Sequence, residues 1–497
     1  MGRRTGWWRG RTVLAGAAAL LSVVAPAGQA MTATAADTPP PYRFAADAER
    51  IEGATNTADA VRLTPGRYYR STIRDNGKLY YGLRLDDAST EFSTSSTSST
   101  SSTSSASSAS DASHASSAYV SATAVPKPGT KVTYSDGIKV SLQDSDGHRC
   151  FSGDAGIARF GPTESPRPLT AWASRRAGPG AYTCKGAGTY TVLVERTSGP
   201  GSSLDDWELE LQYVSEPALE KVTSTAAPQV WDSASPQALD GLARTREGGT
   251  SFSGARSLEE GVWKDGIRAG QTLFYRVPVD WGQQLDATAE LGPASGDGYL
   301  GNALVMALHN PVRALVDDAD VGYDGSRKRT GLEPLPPVAY ENRFAVDDQA
   351  GGMRFAGWYY LVVHLAEEMS DKFGDGPFEL TLRVRVRGTA GEAPAYSGAA
   401  VPRDVFEVTA KDKDAAASGS AATGGDGGDG GDGGSSSENI AMKAVAVGGI
   451  GTGSVLVLGL VMWTVVARRR AGADARERAV PVAGGGASRT YGRSRAR

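Results

Sequence analysis

Cysteine and histidine are scarce in this chain, and helical patterning is missing from most of it. Only Cys150 and Cys184 are present, with His114, His148, His309 and His364. So few thiols and imidazoles build neither a multi-bridge disulfide framework nor a zinc site of ordinary spacing. One intramolecular Cys150–Cys184 bridge is the simplest arrangement, and closing that loop stabilises by about 3–4 kcal/mol on a chain-entropy basis. HExxH, GxSxG and Walker-type glycine loops are all missing, so no cofactor is expected and a catalytic role is not. Triad members can come from distant positions, so an envelope hydrolase without a local motif stays as the contrary hypothesis. A net charge of −4 over 497 residues, with no concentrated basic face, excludes a nucleic-acid partner.

What is present starts with two apolar runs. Arg3, Arg4, Arg9 and Arg11 precede "TVLAGAAALLSVVAPAGQA", and small residues then offer cleavage after Ala30 or Ala35. Residues 1–35 read as a secretion signal. Ala444 to Ala467, "AVAVGGIGTGSVLVLGLVMWTVVA", carries no charge. As a helix it extends roughly 36 Å, enough for a hydrocarbon core of about 30 Å. "RRR" follows, and residues 468–497 hold nine arginines against Asp474 and Glu477. Positive-inside logic leaves this basic tail in the cytoplasm and the body outside, as a single-pass cell-membrane protein. Gly449 and Gly453 stand at GxxxG spacing, a helix-pairing face for self-association.

Between these runs the sequence repeats. "IRDNGKLYYGLRL" (Ile73–Leu85) matches "IRAGQTLFYRVPV" (Ile267–Val279), "AGTYTVLVE" (187–195) matches "AGWYYLVVH" (356–364), and "DWELELQY" (206–213) matches "PFELTLRV" (377–384). "IKVSLQDSDG" and "ALVMALHNPV" occupy similar places more loosely. Ile73 to Gly188 spans 115 positions and Ile267 to Gly357 spans 90; the difference, 25, is the length of the Ser/Thr-rich run Ser93–Ser117. That run therefore interrupts the first copy and does not separate two domains. Lacking apolar partners to offset its ordering entropy, it is expected as a disordered surface loop. Each block alternates apolar and polar residues, the signature of half-buried strands. The expectation is all-β: two tandem antiparallel jelly-roll-like β-sandwiches, at 42–215 and 251–388, plus one transmembrane α-helix at 444–467. Residues 216–250 are expected as a linker and 389–437 as a flexible tether spanning about 40 Å on average.

The Gly-led turn before "LYYGLRL", the central "VSLQDSDG", "AGTYTVLVE" and the closing "WELEL" together resemble the bacterial pre-peptidase C-terminal (PPC) domain. The likeness covers roughly Leu63–Tyr213 and Leu258–Val386. The second copy departs from it, with "HNPVRA" in place of the Asp-Gly turn and a long loop at "LEPLPPVAYENR". The resemblance implies a jelly-roll sandwich acting as a non-catalytic accessory or recognition module, here without an accompanying protease domain.

Two sets of residues are singled out for function. Asp144, Asp146 and the Asp317, Asp318, Asp320 cluster offer oxygen ligands of the kind calcium takes, although Asp-Gly and Asp-Asp pairs also simply form turns. On the non-core side of its strand the second copy carries Trp358, Tyr360, Val362 and His364, against Thr189, Thr191, Leu193 and Glu195 in the first. An apolar, aromatic face of this kind marks a contact surface, whether for a partner or for a covering segment of the same chain. The expected role is membrane-anchored extracellular recognition or scaffolding, with an envelope glycan or a protein as ligand, or service as the ectodomain subunit of a membrane complex.

Overall fold

The computed structural model describes residues 39–86, 115–150, 156–178, 183–222, 224–236 and 239–421. The signal segment, most of the Ser/Thr-rich run, His114, the 444–467 segment with its Gly449/Gly453 pair and the basic tail lie outside these residues. Among the described residues no helix is long and apolar enough to cross a membrane.

The first sandwich contains β1 (Glu49–Arg50), β2 (Val61–Arg62), β3 (Tyr68–Ile73), β4 (Lys78–Leu85), β5 (Ser117–Val125), β6 (Gly137–Gln143), β7 (Ile157–Arg159), β8 (Leu169–Arg175), β9 (Gly188–Thr197) and β10 (Trp207–Glu216). The second contains β11 (Arg244–Thr245), β12 (Arg256–Ser257), β13 (Gly261–Ile267), β14 (Thr272–Val279), β15 (Gln284–Leu291), β16 (Leu300–His309), β17 (Leu315–Tyr323), β18 (Lys328–Gly331), β19 (Gly357–Leu365) and β20 (Phe378–Arg387). Strand order in the first is β1-β3-β10-β5-β8 over β2-β4-β9-β6-β7. In the second it is β11-β13-β20-β15-β18 over β12-β14-β19-β16-β17. Adding ten to every strand of the first gives the second, so the duplication visible in short sequence blocks extends through the whole topology.

Alternation sets the cores. Tyr81, Leu83 and Leu85 of β4 are buried, as are Trp207, Leu209, Leu211 and Tyr213 of β10 and their counterparts Phe378, Leu380, Leu382 and Val384 of β20. Each such large side chain contributes roughly 1.5–3 kcal/mol on burial. The glycine that opens β9 and β19 has a backbone reason in both copies: Gly188 and Gly357 have φ of +140° and +128°, where a side chain is strained. Cys150 and Cys184 are joined, tying the β6–β7 loop to the segment before β9.

The serine-rich excursion leaves and rejoins a single sandwich. β4 and β5 flank it, and the Asp86 carboxylate accepts hydrogen bonds from both the Ser116 amide (2.8 Å) and its hydroxyl (3.1 Å). Its C-terminal boundary moves slightly, because Ser117 already belongs to β5.

Two segments expected as connectors are built into the fold. Within 216–250, β11 pairs in parallel with β13, so the second sandwich begins by Arg244. Three short helices accompany its strands: α1 (Asp348–Gly352), α2 (Met369–Phe373) and α3 (Ala410–Ser418). Residues 389–421, expected as part of the tether, run back over both sandwiches as a strap. Val401 bridges Ser215, Tyr396 bridges Leu219, Phe406 stacks on Phe355 at 4.5 Å and Ala421 bridges Arg256. Thr409 and Asp412 close a capping box at the start of α3.

The sandwiches are joined through a buried ionic layer. Alternation turns Glu210 and Glu216 away from the first core, yet both are fully buried. Arg313 of the second sandwich donates to Glu210 at 2.7 Å, and Arg343 to Glu216 at 2.5 Å. Tyr42 and the Ala45 amide complete Glu210, while Tyr119 and Tyr396 complete Glu216. A buried carboxylate paired with an arginine and holding three hydrogen bonds is the arrangement that tolerates removal from water.

Candidate functional site

Beside this ionic layer the two sandwiches leave a cleft of about 460 Å³. The first sandwich supplies Ile157 and Arg159 from β7, the Arg167–Pro168 approach to β8, and Thr170 and Trp172 from β8 itself. The second supplies His309 at the end of β16, Leu315–Asp318 of β17, Val362 and His364 of β19, and Asp348 and Gln349 of α1. Its volume falls in the range of small-molecule sites, and its walls mix apolar surface with a few converging polar groups.

Most of those polar groups are already committed. His364 is buried, with Nδ1 3.0 Å from the Thr272 hydroxyl and Nε2 3.0 Å from the Ser165 hydroxyl. Burial, assisted by the Arg167 charge, holds its pKa well below the usual imidazole value, so it stays neutral. The Ser165–His364 pair has the spacing of a nucleophile and base, but Ser165 has no exposed surface and also accepts from the Glu367 amide at 3.0 Å. Thr272 stands where a triad carries its carboxylate, and a neutral hydroxyl does not stabilise an imidazolium. The pair is a cross-link between sandwiches. Asp317 is likewise spent, accepting from the Glu333 amide at 2.9 Å and from Gln349 at 2.6 Å.

Beside the exposed Arg159 and Asp348 at the rim, His309, Asp318 and Arg167 retain capacity toward the cleft. His309 Nδ1 lies 3.2 Å from the Arg313 carbonyl, which makes it the protonated nitrogen and leaves Nε2 as the acceptor. Burial pushes the His309 pKa down to about 4. Asp318, at the exposed rim, has its carboxyl raised, first by loss of water and then by Asp320. Arg167 donates to the Phe160 carbonyl at 2.9 Å and the Ser165 carbonyl at 3.3 Å, and burial brings its pKa to about 10.

The residues singled out in the sequence divide. Trp358, Tyr360, Val362 and His364 do share the outer face of β19, and that face is a contact surface within the chain. The Trp358 indole donates to Asp412 of α3 at 2.9 Å while Arg276 stacks over it at 3.9 Å. Tyr360 packs edge-on against Phe252 at 5.1 Å. Val362 and His364 reach the cleft. Asp144, Asp146 and His148 lie with ligand atoms within 4.8 Å of one another on an exposed turn. One Asp144 oxygen there accepts the backbone amides of Asp146 and His148, which is a turn-closing role. Asp317, Asp318 and Asp320 do not converge as a ligand set, since neighbours on a strand point to opposite faces. The sequence reading missed Trp172, Arg167 and the Glu210 and Glu216 pairs. Trp172 breaks the small-residue pattern of "PLTAWASR", and that is the one signal it gave.

No family model matches the chain, and no curated protein matches it in sequence. Among solved structures it is similar to the N-terminal CBM22-1-CBM22-2 tandem domain of Paenibacillus barcinonensis Xyn10C, at 11% identity over 55% of this chain and 79% of that one, with a TM-score of 0.18. It is also similar to the CUB1-EGF-CUB2 domain of human MASP-1/3, at 6% identity over 64% and 99%, with a TM-score of 0.15. At these scores neither likeness carries an argument about this chain.

Proposed function

We propose that the chain is an extracellular recognition and scaffolding protein, without catalysis of its own, that binds an envelope glycan in the cleft between two PPC-like sandwiches. The membrane position in this reading is supported by sequence alone, from the signal-like 1–35 segment, the uncharged 444–467 run and the arginine-rich tail. The observation that carries the ligand class is the cleft itself, with the acceptor nitrogen of His309, the Asp318 carboxylate and the Leu315 side chain on one side and Trp172 on the other. Apolar and hydrogen-bonding surface alternate around it, matching the two-sided character of a sugar ring. A concave site favours a saccharide over a flat protein surface. The hydrolase reading has the Ser165–His364 pair as its best geometry, and burial of Ser165 argues against it.

The test uses positions that carry no core packing. Asp318→Ala and Leu315→Lys are expected to weaken binding of solubilised wall saccharides to the full-length chain by about tenfold or more, measured by titration calorimetry, with unchanged unfolding temperature. Saccharide binding that is undetectable, or that both variants leave untouched, would sink the proposal.

A further inference from the structure

Behind Trp172 the cleft continues into a recess of about 40 Å³ lined by Arg176, Arg343, Arg354, Asn310, Gly352 and, at its mouth, Asp348. Arg354 is 2% exposed. Its guanidinium lies near the rings of Tyr119, Trp172 and Phe355, at 5.2, 5.6 and 5.0 Å from their centroids. Its Nε and Nη2 are buried without a hydrogen-bond partner. The nearby buried carboxylate, Glu216, whose charge also reaches Arg354, accepts from Arg343, Tyr119 and Tyr396 and makes no hydrogen bond with Arg354 Nε or Nη2. Arg343 is thereby neutralised. Arg176 donates to the Arg343 carbonyl at 3.2 Å and adds a further positive charge. Burial lowers the pKa of both Arg354 and Arg176, with the Arg343 charge adding to it at Arg354 and the Arg354 and Arg343 charges at Arg176.

A buried guanidinium facing a second cation, with donors unmatched, asks for a negative partner. Asp348 stands in solvent at the mouth, where its charge is screened. The recess has room for more than one water-sized occupant, each of which needs roughly 10–15 Å³ of such space, and is too small for an extended polyanion. We infer that this recess, gated by Trp172 and built on Arg354 with Arg176, is a binding site for one small monoanion, either free chloride or a single carboxylate. The donors are fork-shaped and planar, which suits a carboxylate as well as a halide. The site stands on the arginine geometry and does not depend on the saccharide reading of the outer cleft.

The full-length chain is unfolded thermally in sodium chloride, sodium acetate and sodium methanesulfonate at equal ionic strength. Chloride and acetate are expected to raise the unfolding temperature by roughly 2 °C or more over methanesulfonate, whose tetrahedral three-oxygen head is bulkier than a planar carboxylate. Arg354→Met, which keeps the stem over the rings and removes the charge, is expected to erase that difference. Should this variant fail to fold, bromide-soaked crystals of the wild type decide: an anomalous peak against the Arg354 guanidinium supports the site. Identical unfolding temperatures in the three salts, or soaked crystals without that peak, would overturn it. Glucuronate and glucose then separate the sources. Displacement of chloride by glucuronate at lower concentration than acetate, with glucose inert, shows a carboxylate arriving on a cleft-bound acidic sugar. Equal potency of glucuronate and acetate, or none for glucuronate, shows a free anion.

Discussion

His309 is enclosed between the Phe252 ring and the Arg313 carbonyl, and loss of water holds its pKa near 4. In the unfolded chain the same imidazole titrates near 6.5. Between these values the unfolded state holds a proton that the native state refuses. The stabilisation is therefore complete above pH 6.5 and is lost as pH falls toward about 4, at up to about 1.4 kcal/mol per pH unit for one group. His364 acts in the same direction. Asp317 and Asp318, raised by burial, act in the opposite one, favouring the fold on the acid side of their own range. Asp265, Asp286 and Glu367, also raised by burial, oppose the histidines in the same way, so the histidine contribution between pH 6.5 and 5 is read as the difference between wild type and variant. In urea unfolding over that window His309→Asn, whose amide still donates to the Arg313 carbonyl, is expected to differ in slope from the wild type by about one proton. Equal slopes for the two would contradict the assignment. At this scale the sequence was readable where a residue's fate depends on its neighbours. Trp207, Leu209 and Leu211 declare a core by alternation. Glu210 and Glu216, on the opposite side of the same strand, read as solvated, because the arginines that bury them stand 103 and 127 residues away.

Among elements, the serine-rich excursion and the strap had similar compositional signals and different outcomes. Both are rich in small residues, and both read as segments without structure. The excursion emerges from a site pinned by Asp86 and Ser116, and the residues between lie outside the described ones. Replacing residues 88–114 with a short Gly/Ser turn is expected to leave the unfolding temperature unchanged or slightly higher, since each halving of loop length recovers only about 0.6 kcal/mol. A loss of several degrees in a thermal scan would mean that the run contributes packing. The strap differs because a few residues within it have tertiary partners. Val401 and the Val405, Phe406 and Val408 cluster are short apolar groups broken by Pro402, Arg403 and Asp404, too brief for a periodicity reading. The Thr409–Asp412 capping box was the legible sign of α3, and its meaning rested on Trp358, which lies 54 positions earlier.

Both sandwiches fall in one compact unit, and buried charges are shared between them. Duplication, strand faces and the interruption of the first copy were open to reading, since all three follow from local pattern and spacing. How the copies dock was not, since it is decided by a few long-range pairs and by a strap that resembles a linker. Calorimetry of the wild type is expected to show both sandwiches melting in one transition. Glu210→Gln leaves Arg313 buried and uncompensated, and should lower stability by about 3–5 kcal/mol and separate the transition into two. Glu210→Met with Arg313→Met removes both charges and should recover most of the loss. Two transitions in the wild type, or a silent Glu210→Gln, would show the sandwiches to be independent.

The strap also sets how the molecule bears load. Tension applied at residue 421 meets the bridge to Arg256 first, then α3 and its tie to Trp358, then the Phe406–Phe355 stack, and only afterwards the bridge from Val401 to Ser215. A pull from the C-terminal side is thus absorbed by peeling a peripheral segment while both sandwiches stay paired, and the cleft keeps its shape until the strap is spent.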